Sequence, residues 1–314
     1  MCKNLAIAAA LATVVSTSAF AADLPLKAPP PPAPIVSWTG FYVGGNVGYG
    51  WGDPRTNVAG SATFFSFPGN FADVPAGFPS TIAFADSNTA RLRGAIGGAQ
   101  FGYNYQINPR WVLGLESDFQ GSGQTGSNAS IDQLSGAICT GATSIPAPSH
   151  CFQTNPFVGS AATGYEAKIG WFGTVRGRVG FLITDQVLVY GTGGLAYGRV
   201  EVSGTSTPSS SANFVFSTTP FATASSAFSA AKTNAGYTVG GGVEGKLLPW
   251  LPANWTWKLE YLYLDLGSLN SSAPFGGTLT AFVPAISPAT GAVAIHTHFF
   301  DNIVRVGLNY KFGN

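Results

Sequence analysis

Residues 41–51 read Phe41-Tyr-Val-Gly-Gly-Asn-Val-Gly-Tyr-Gly-Trp51. The odd positions (Phe41, Val43, Gly45, Val47, Tyr49, Trp51) are mostly large and apolar. The even ones (Tyr42, Gly44, Asn46, Gly48, Gly50) are mostly small or polar. Side chains alternate between the two faces of a strand, so this stretch predicts a strand with one greasy face.

The same division recurs along the chain. From Gly94 to Ile107, Ala99, Phe101, Tyr103 and Tyr105 oppose Gln100, Asn104 and Gln106. From Trp111 to Gln120, Trp111, Leu113, Leu115 and Phe119 oppose Glu116 and Asp118. Tyr165 to Phe181 sets Ile169, Trp171, Val175 and Val179 against Glu166, Lys168, Arg176 and Arg178. In Val187 to Val202, Arg199 and Glu201 share a face opposite Val200 and Val202. Asn234 to Leu247 opposes Glu244 and Lys246 to Tyr237, Val239 and Val243, and Trp255 to Leu266 opposes Lys258 and Glu260 to Trp257, Leu259 and Tyr261. His298 to Phe312 ends the series, with Asp301, Arg305 and Lys311 against Val304, Val306, Leu308 and Tyr310. The pattern predicts an all-β chain of eight strands.

The connections select the architecture. Three are short, at Asn108 to Arg110, around Thr184 to Gln186, and from Leu248 to Asn254. Four are long and rich in Gly, Ser, Thr, Ala and Pro, at about 52–90, 121–164, 203–233 and 267–297. Long and short alternate, which sorts the long connections to one end. That asymmetry predicts an eight-stranded antiparallel transmembrane β-barrel with four long extracellular loops and short periplasmic turns.

Charge supports a bilayer. Only 9% of residues are charged, against about 25% in ordinary soluble domains. The charges assigned to strands fall on the polar face, which a membrane barrel turns inward. The expected lumen set is Glu116 and Asp118; Glu166, Lys168, Arg176 and Arg178; Arg199 and Glu201; Glu244 and Lys246; Lys258 and Glu260; and Asp301, Arg305 and Lys311. Arg91, Arg93 and Asp265 fall on the lipid parity, at extracellular strand ends. A Lys or Arg facing lipid at mid-depth costs about 2–4 kcal/mol, so this sorting is what a bilayer imposes. Acids and bases nearly balance, which predicts paired charges across a bore that eight strands leave just wide enough for side chains. Inward glycines such as Gly44, Gly48 and Gly98 are candidate water-filled pockets. Aromatic belts are expected at Trp38, Tyr105, Trp111, Phe181, Trp255 and Phe312 on the periplasmic side, and at Trp51, Phe119, Tyr165 and Tyr237 on the outer side.

The chain's beginning reads differently. Residues 1–21 carry Lys3, an apolar run from Leu5 to Val15 and an Ala19-Phe-Ala21 site, a signal peptide cleaved after Ala21. Residues 22–37 include Leu24-Pro-Leu-Lys-Ala-Pro-Pro-Pro-Pro-Ala-Pro34, a Pro-rich periplasmic linker. The barrel occupies 38–314. A formal charge of +1 gives no electrostatic grip on nucleic acid.

At the C-terminus, Arg305-Val-Gly-Leu-Asn-Tyr-Lys-Phe312 resembles the signal read by the barrel assembly machinery, through Arg305, Gly307, Tyr310 and Phe312. It departs from the pattern in the trailing Gly313-Asn314. Trp38-Thr-Gly-Phe-Tyr-Val-Gly-Gly-Asn-Val-Gly-Tyr49, Tyr190-Gly-Thr-Gly-Gly-Leu-Ala-Tyr197 and Lys258-Leu-Glu-Tyr-Leu-Tyr263 resemble the outer-membrane β-barrel (porin family, OmpA-like) group. The Pro-rich lead-in resembles that of the alphaproteobacterial outer-membrane immunogenic proteins. The resemblance implies an eight-stranded barrel in the cell outer membrane. Members of this group include surface antigens, envelope-stabilising proteins, small pores and haemin binders, so fold alone does not choose among these.

Other chemistry is sparse. Cys139 and Cys151 share the second long loop, and an oxidising export route predicts a disulfide between them. His296 and His298 form an i, i+2 pair, with His150 in the cysteine loop, and are weak metal or haem candidates beside solvated rim histidines. No catalytic residue and no cofactor are expected. The expectation is a monomeric structural protein and surface antigen of the cell envelope, in contact with outer-membrane lipid and lipopolysaccharide. The alternatives are a small-solute or ion pore and a haem-binding or adhesive surface receptor.

Overall fold

A computed structural model describes residues 37–66, 78–142, 151–211, 220–246, 254–274, 276–279, 287–288 and 290–312. The proposed signal peptide and all of the linker but Ser37 lie outside them, as do His150 and Gly313-Asn314. Twelve strand segments make one sheet: β1 (Gly40–Gly52), β2 (Arg55–Ser66), β3 (Phe78–Thr89), β4 (Leu92–Gln106), β5 (Trp111–Ala142) and β6 (Cys151–Thr184) come first. Then follow β7 (Val187–Ser211), β8 (Pro220–Lys246), β9 (Trp255–Pro274), β10 (Gly276–Leu279), β11 (Ser287–Pro288) and β12 (Thr290–Lys311).

Eight of them close a ring, and every neighbouring pair is antiparallel. The register runs Tyr49↔Ala95 between β1 and β4, Ala99↔Phe119 between β4 and β5, Leu115↔Gly177 between β5 and β6, and Val179↔Gly191 between β6 and β7. It continues through Gly191↔Gly241, Gly241↔Tyr261 and Tyr261↔Val304, and closes at Val304↔Tyr49, where β12 returns to β1. Closure removes every sheet edge from the ring, which a β structure in lipid requires.

The long connections are largely strand. The β2–β3 hairpin stacks above β1 and β4, with β2 paired to the outer part of β12 from His298↔Arg55 to Thr290↔Thr63. The β5–β6 ladder continues past the ring to Ala142↔Cys151, and β7 with β8 runs to Ser211↔Pro220. The expected four long loops are therefore mostly hairpin extensions.

Two zones follow from which solvent surrounds the sheet. In the first, outward residues are apolar and exposed, among them Leu115, Phe101, Val179 and Val306. Their strand length fits the membrane: Trp111 to Phe119 matches the roughly 9–11 residues of a tilted spanning strand. Beyond that zone the surroundings are water, and the sorting reverses. A bulge between Ile169 and Trp171 inserts Gly170 into β6 and flips the strand's parity. Above it, Ala167 and Ile169 face in, while Glu166 and Lys168 face out and are exposed. On β7, Val200 and Val202 are buried and Arg199 stands out beside Glu201. These four charges were expected in the lumen; they lie on the outer surface, because outside the bilayer the charged side belongs to water.

Candidate functional site

Among the described residues many functional groups converge in the bore, which is filled in three layers. At the periplasmic mouth the chain folds Trp38 inward before entering β1. Its backbone N–H donates to Gln106 Oε1 at 2.9 Å and its indole Nε1 donates to Asp185 O at 3.2 Å. Trp38 is buried with Val112, Leu182, Leu188 and Tyr190. It was expected in the lipid interface; it corks the bore instead. Gly40 makes the turn, with φ of 142° and a site where a Cβ would meet Phe312 O at 2.8 Å.

Charge fills the middle. Glu116 sits at the centre: Lys258 Nζ lies 2.9 and 3.0 Å from its oxygens, Tyr42 Oη donates to it at 2.7 Å, and Arg176 Nη2 is paired with it. Asp118 accepts from Arg176 Nη2 at 2.9 Å, Arg305 Nη2 at 2.8 Å and Thr174 Oγ1 at 2.9 Å. Glu260 accepts from Arg176 Nη1 at 3.0 Å, Arg305 Nε at 2.7 Å and Tyr190 Oη at 2.9 Å. Glu244 takes Arg178 Nη2 at 2.6 Å, Thr256 Oγ1 at 2.7 Å and Asn309 Nδ2 at 3.0 Å. Arg178 also lies over the Tyr190 ring at 4.0 Å, a cation–π contact. Gln100 of β4 joins through Asn309 and Asn46.

All eight ring strands thus contribute, and Glu116, Asp118, Glu244 and Glu260 balance Arg176, Arg178, Lys258 and Arg305. All eight are at most 3% exposed. Burial of these ions is tolerable only because each meets opposite charge with further hydrogen bonds. Asp301, also buried, stands apart and accepts from Gln124 Nε2 at 2.7 Å. Lys246 and Lys311 are half-buried near the periplasmic end, where Lys311 Nζ donates to Ser37 O. Tyr42, Tyr190, Thr174 and Asn309 were missed as members, although each sits on the inward parity with a side-chain donor.

Above the charges, the outer part of the bore is a hydrocarbon core. Leu92, Ile96, Ile169, Phe172, Val200, Leu262, Leu264, Phe299 and Ile303 form one buried cluster. Tyr165, expected in the outer belt, is buried in it. The inward glycines are not pockets: a Cβ at Gly44 would strike Asn309, one at Gly48 the β12 backbone, and one at Gly98 the β5 backbone. Side chains from the facing strands already occupy that space.

The outer surface is a lipid-facing belt bounded by aromatics. Trp111 and Phe181 meet edge-on at 5.3 Å, as do Trp255 and Tyr310 at 5.4 Å, while Phe119 stacks on Trp171 at 5.4 Å. Such belts fit membrane interfaces. Residues 7–312 match the family model described as outer membrane protein beta-barrel domain. The chain belongs to this family. It is an outer-membrane β-barrel protein. It is 36% identical over 310 residues to the 31 kDa outer-membrane immunogenic protein of Brucella melitensis biotype 1, covering 98% of each chain. It is 31% identical over 283 residues to the 22 kDa outer membrane protein of Rhizobium leguminosarum bv. viciae, covering 90% of this chain and 82% of that one. Among solved structures, the outer membrane protein OprG of Pseudomonas aeruginosa overlays with a TM-score of 0.34 at 10% identity, over 89% of this chain and 100% of that one.

The remaining candidates are dispersed in this outer-membrane barrel. His296 and His298 lie on the outer face of β12: His296 Nδ1 pairs with Asn270 Oδ1, and His298 contacts Ser268 Oγ at 3.1 Å and Asp265 Oδ2 at 3.3 Å. Among the described residues, no three His, Cys, Asp or Glu side chains are grouped to hold a metal. The backbone register opposes Cys139 to Thr154 and Cys151 to Ala142; both cysteine side chains lie outside the described ones. On β12, Gly307 faces in, and Tyr310 and Phe312 join the lower aromatic belt with ring centroids 5.1 Å apart.

Proposed function

We propose that this protein is a non-conducting, non-enzymatic scaffold that displays antigenic hairpin tips above the outer membrane. The observation that carries the reading is the filled bore, with an indole cork, a neutral charge layer and a hydrocarbon core in series. An ion entering from either side meets packed side chains instead of water, which opposes a pore. The eight charges of the neutral layer are engaged with one another, which leaves none of them poised as nucleophile or base. The extensions support display. β5 runs on from Gly121 to Ala142, and at roughly 3.3 Å per residue and about 40° of tilt this carries the hairpin on the order of 50 Å beyond the aromatic belt. The immunogenic character named for the Brucella relatives agrees with tips that stand clear of the surface. We further propose that the assembly machinery reads Arg305, Gly307, Tyr310 and Phe312 on a monomeric chain.

Two measurements on the full chain test this. In planar bilayers the protein stays silent; reproducible single-channel openings overturn the reading. On intact cells, an epitope inserted at 143–150 is bound by antibody without permeabilisation; binding only after permeabilisation also overturns it.

A further inference from the structure

The outer rim of the lipid-facing belt has one sector unlike the rest. Trp51 of β1, Trp171 of β6, Tyr197 of β7, Tyr237 of β8 and Tyr263 of β9 place an aromatic ring there, and Trp171 lies 6.3 Å from Tyr197, while Phe119 of β5 lies one outward step below Gly121. On β4 that level holds Ala95, which the register sets opposite Tyr49. The outward residues beside and below it are also small: Gly97 on β4, with Gly121 and Gly123 on β5, where Gly97 pairs with Gly121. A Cβ built at Gly97 would meet Asn46 O at 3.6 Å and Val47 Cγ1 at 3.7 Å, and one at Gly121 would meet Gly97 O at 3.7 Å, all ordinary van der Waals contacts. The floor of this trough is therefore bare backbone, open toward lipid.

Two cations stand at its upper end. The register runs Arg93↔Thr125 between β4 and β5, then Thr125↔Lys168 between β5 and β6. All three side chains are exposed on the outer face. Two ladder spacings separate the cations, roughly 10 Å, with the Thr125 hydroxyl between them. Neither Arg93 nor Lys168 has an ion pair among the described residues, whereas Arg199 Nε is held by Glu201 Oε1 at 2.6 Å and His298 by Asp265 at 3.3 Å. Glu201 opposes Lys168 across the β6–β7 ladder yet is taken by Arg199, and Glu166 stands one outward step farther from the membrane. Open positive charge thus stands at the upper end of the small-residue trough, which Tyr49, Trp171 and Phe119 flank.

We propose that this sector binds one phosphorylated glycolipid of the outer leaflet, a lipopolysaccharide molecule, with a phosphate between Arg93 and Lys168 and an acyl chain in the Ala95–Gly97–Gly121–Gly123 trough. Guanidinium and ammonium groups make charge-assisted bonds to phosphate that are stronger than neutral ones. The trough supplies apolar contact along a chain that the aromatic rings elsewhere would hold away. Charge and trough align on adjacent strands, so a single amphiphile satisfies both. This inference rests on the membrane belt and not on the display reading; a conducting barrel would bind the lipid equally.

The test uses the full chain folded in detergent, with lipid A bearing its phosphates as probe and binding read by native mass spectrometry. The comparisons are lipid A with its phosphates removed, phosphatidylethanolamine and inorganic phosphate. Arg93→Ala with Lys168→Ala is expected to weaken phosphorylated lipid A at least tenfold and leave the dephosphorylated lipid unchanged. Gly97→Phe, which fills the trough, is expected to weaken both. Arg199→Ala combined with Glu201→Ala, which removes a pair closed on itself and frees no carboxylate beside Lys168, is expected to change neither. Gel mobility with and without heating verifies that each variant is folded. The proposal is overturned if the double variant retains wild-type affinity, if phosphatidylethanolamine binds as tightly as phosphorylated lipid A, or if inorganic phosphate alone competes fully.

Discussion

Arg305 Nη2 on the last strand lies 2.8 Å from Asp118 Oδ2 on β5, so one ion pair spans the bore between strands far apart in sequence. The same aspartate oxygen also receives Arg176 at 2.9 Å. Asp118 thus joins β5, β6 and β12 at a single point. Arg305 is also part of the proposed assembly signal, so the cleaner perturbation is Asp118→Ala. It leaves two buried guanidinium groups short of an anion, and removing one partner of such a set costs about 3–5 kcal/mol. The heat-induced shift in gel mobility is expected at a markedly lower temperature. An unchanged midpoint would mean that the charge layer does not stabilise the barrel.

The cork makes a separable prediction. Trp38→Ala removes an indole packed on Val112, Leu188 and Tyr190, a large-to-small change of about 3 kcal/mol or more. Planar bilayers should nonetheless stay silent, because the charge layer above is intact. Openings in this variant would locate the seal in the cork alone.

Gly170 divides the two zones on β6. Nothing lies within 4 Å of a Cβ built there, so Gly170→Ala should assemble normally. Deleting Gly170 is different. The shift by one residue turns Glu166 and Lys168 toward the hydrocarbon core and Ile169 toward water. We expect the deletion variant to lose protease resistance throughout the β5–β6 extension, while the single alanine keeps it.

That bulge also explains what the sequence conveyed and what it did not. Alternation in Phe41–Trp51, Trp111–Gln120 and His298–Phe312 was legible because those segments stay in one environment, lipid outside and polar groups inside. Nine of the charges assigned to the lumen are buried there, including the eight of the neutral layer. Glu166, Lys168, Arg199 and Glu201 were misread because alternation reports two faces and never says which solvent each meets. Where the sheet leaves the bilayer the outer solvent changes from lipid to water, and the apolar face turns inward. The extensions read as loops in the sequence since Gly, Pro and Ala are depleted in strands and the Ser- and Thr-rich stretches between them show no apolar alternation. Their ladders are held by neighbouring backbone, which no single segment records. Trp38 was misplaced for a related reason: an aromatic at a strand end suits an interface and a cork equally well.

The extension contains one acidic contact with a calculable pH response. Asp86 on β3 and Asp132 on β5 meet on the inner face of the extension, above the membrane, and Ser130 Oγ and Asn88 Nδ2 both donate to Asp86. Burial, and then the neighbouring Asp86 charge and hydrogen bond, push the Asp132 carboxyl above its ordinary value. The folded extension therefore binds this proton more tightly than the unfolded chain does, and its stability falls as pH rises. The loss begins in the ordinary carboxylate range and is complete above the raised Asp132 value. Asp132→Asn removes the repulsion while keeping the shape. At neutral pH we expect slower hydrogen exchange of the β3 and β5 amides around Asp86 and Asp132 in the variant than in the wild type. In acid, below both carboxyl values, the two proteins should exchange alike. A difference that persisted unchanged into acid would show that the amide acts through packing and not through charge.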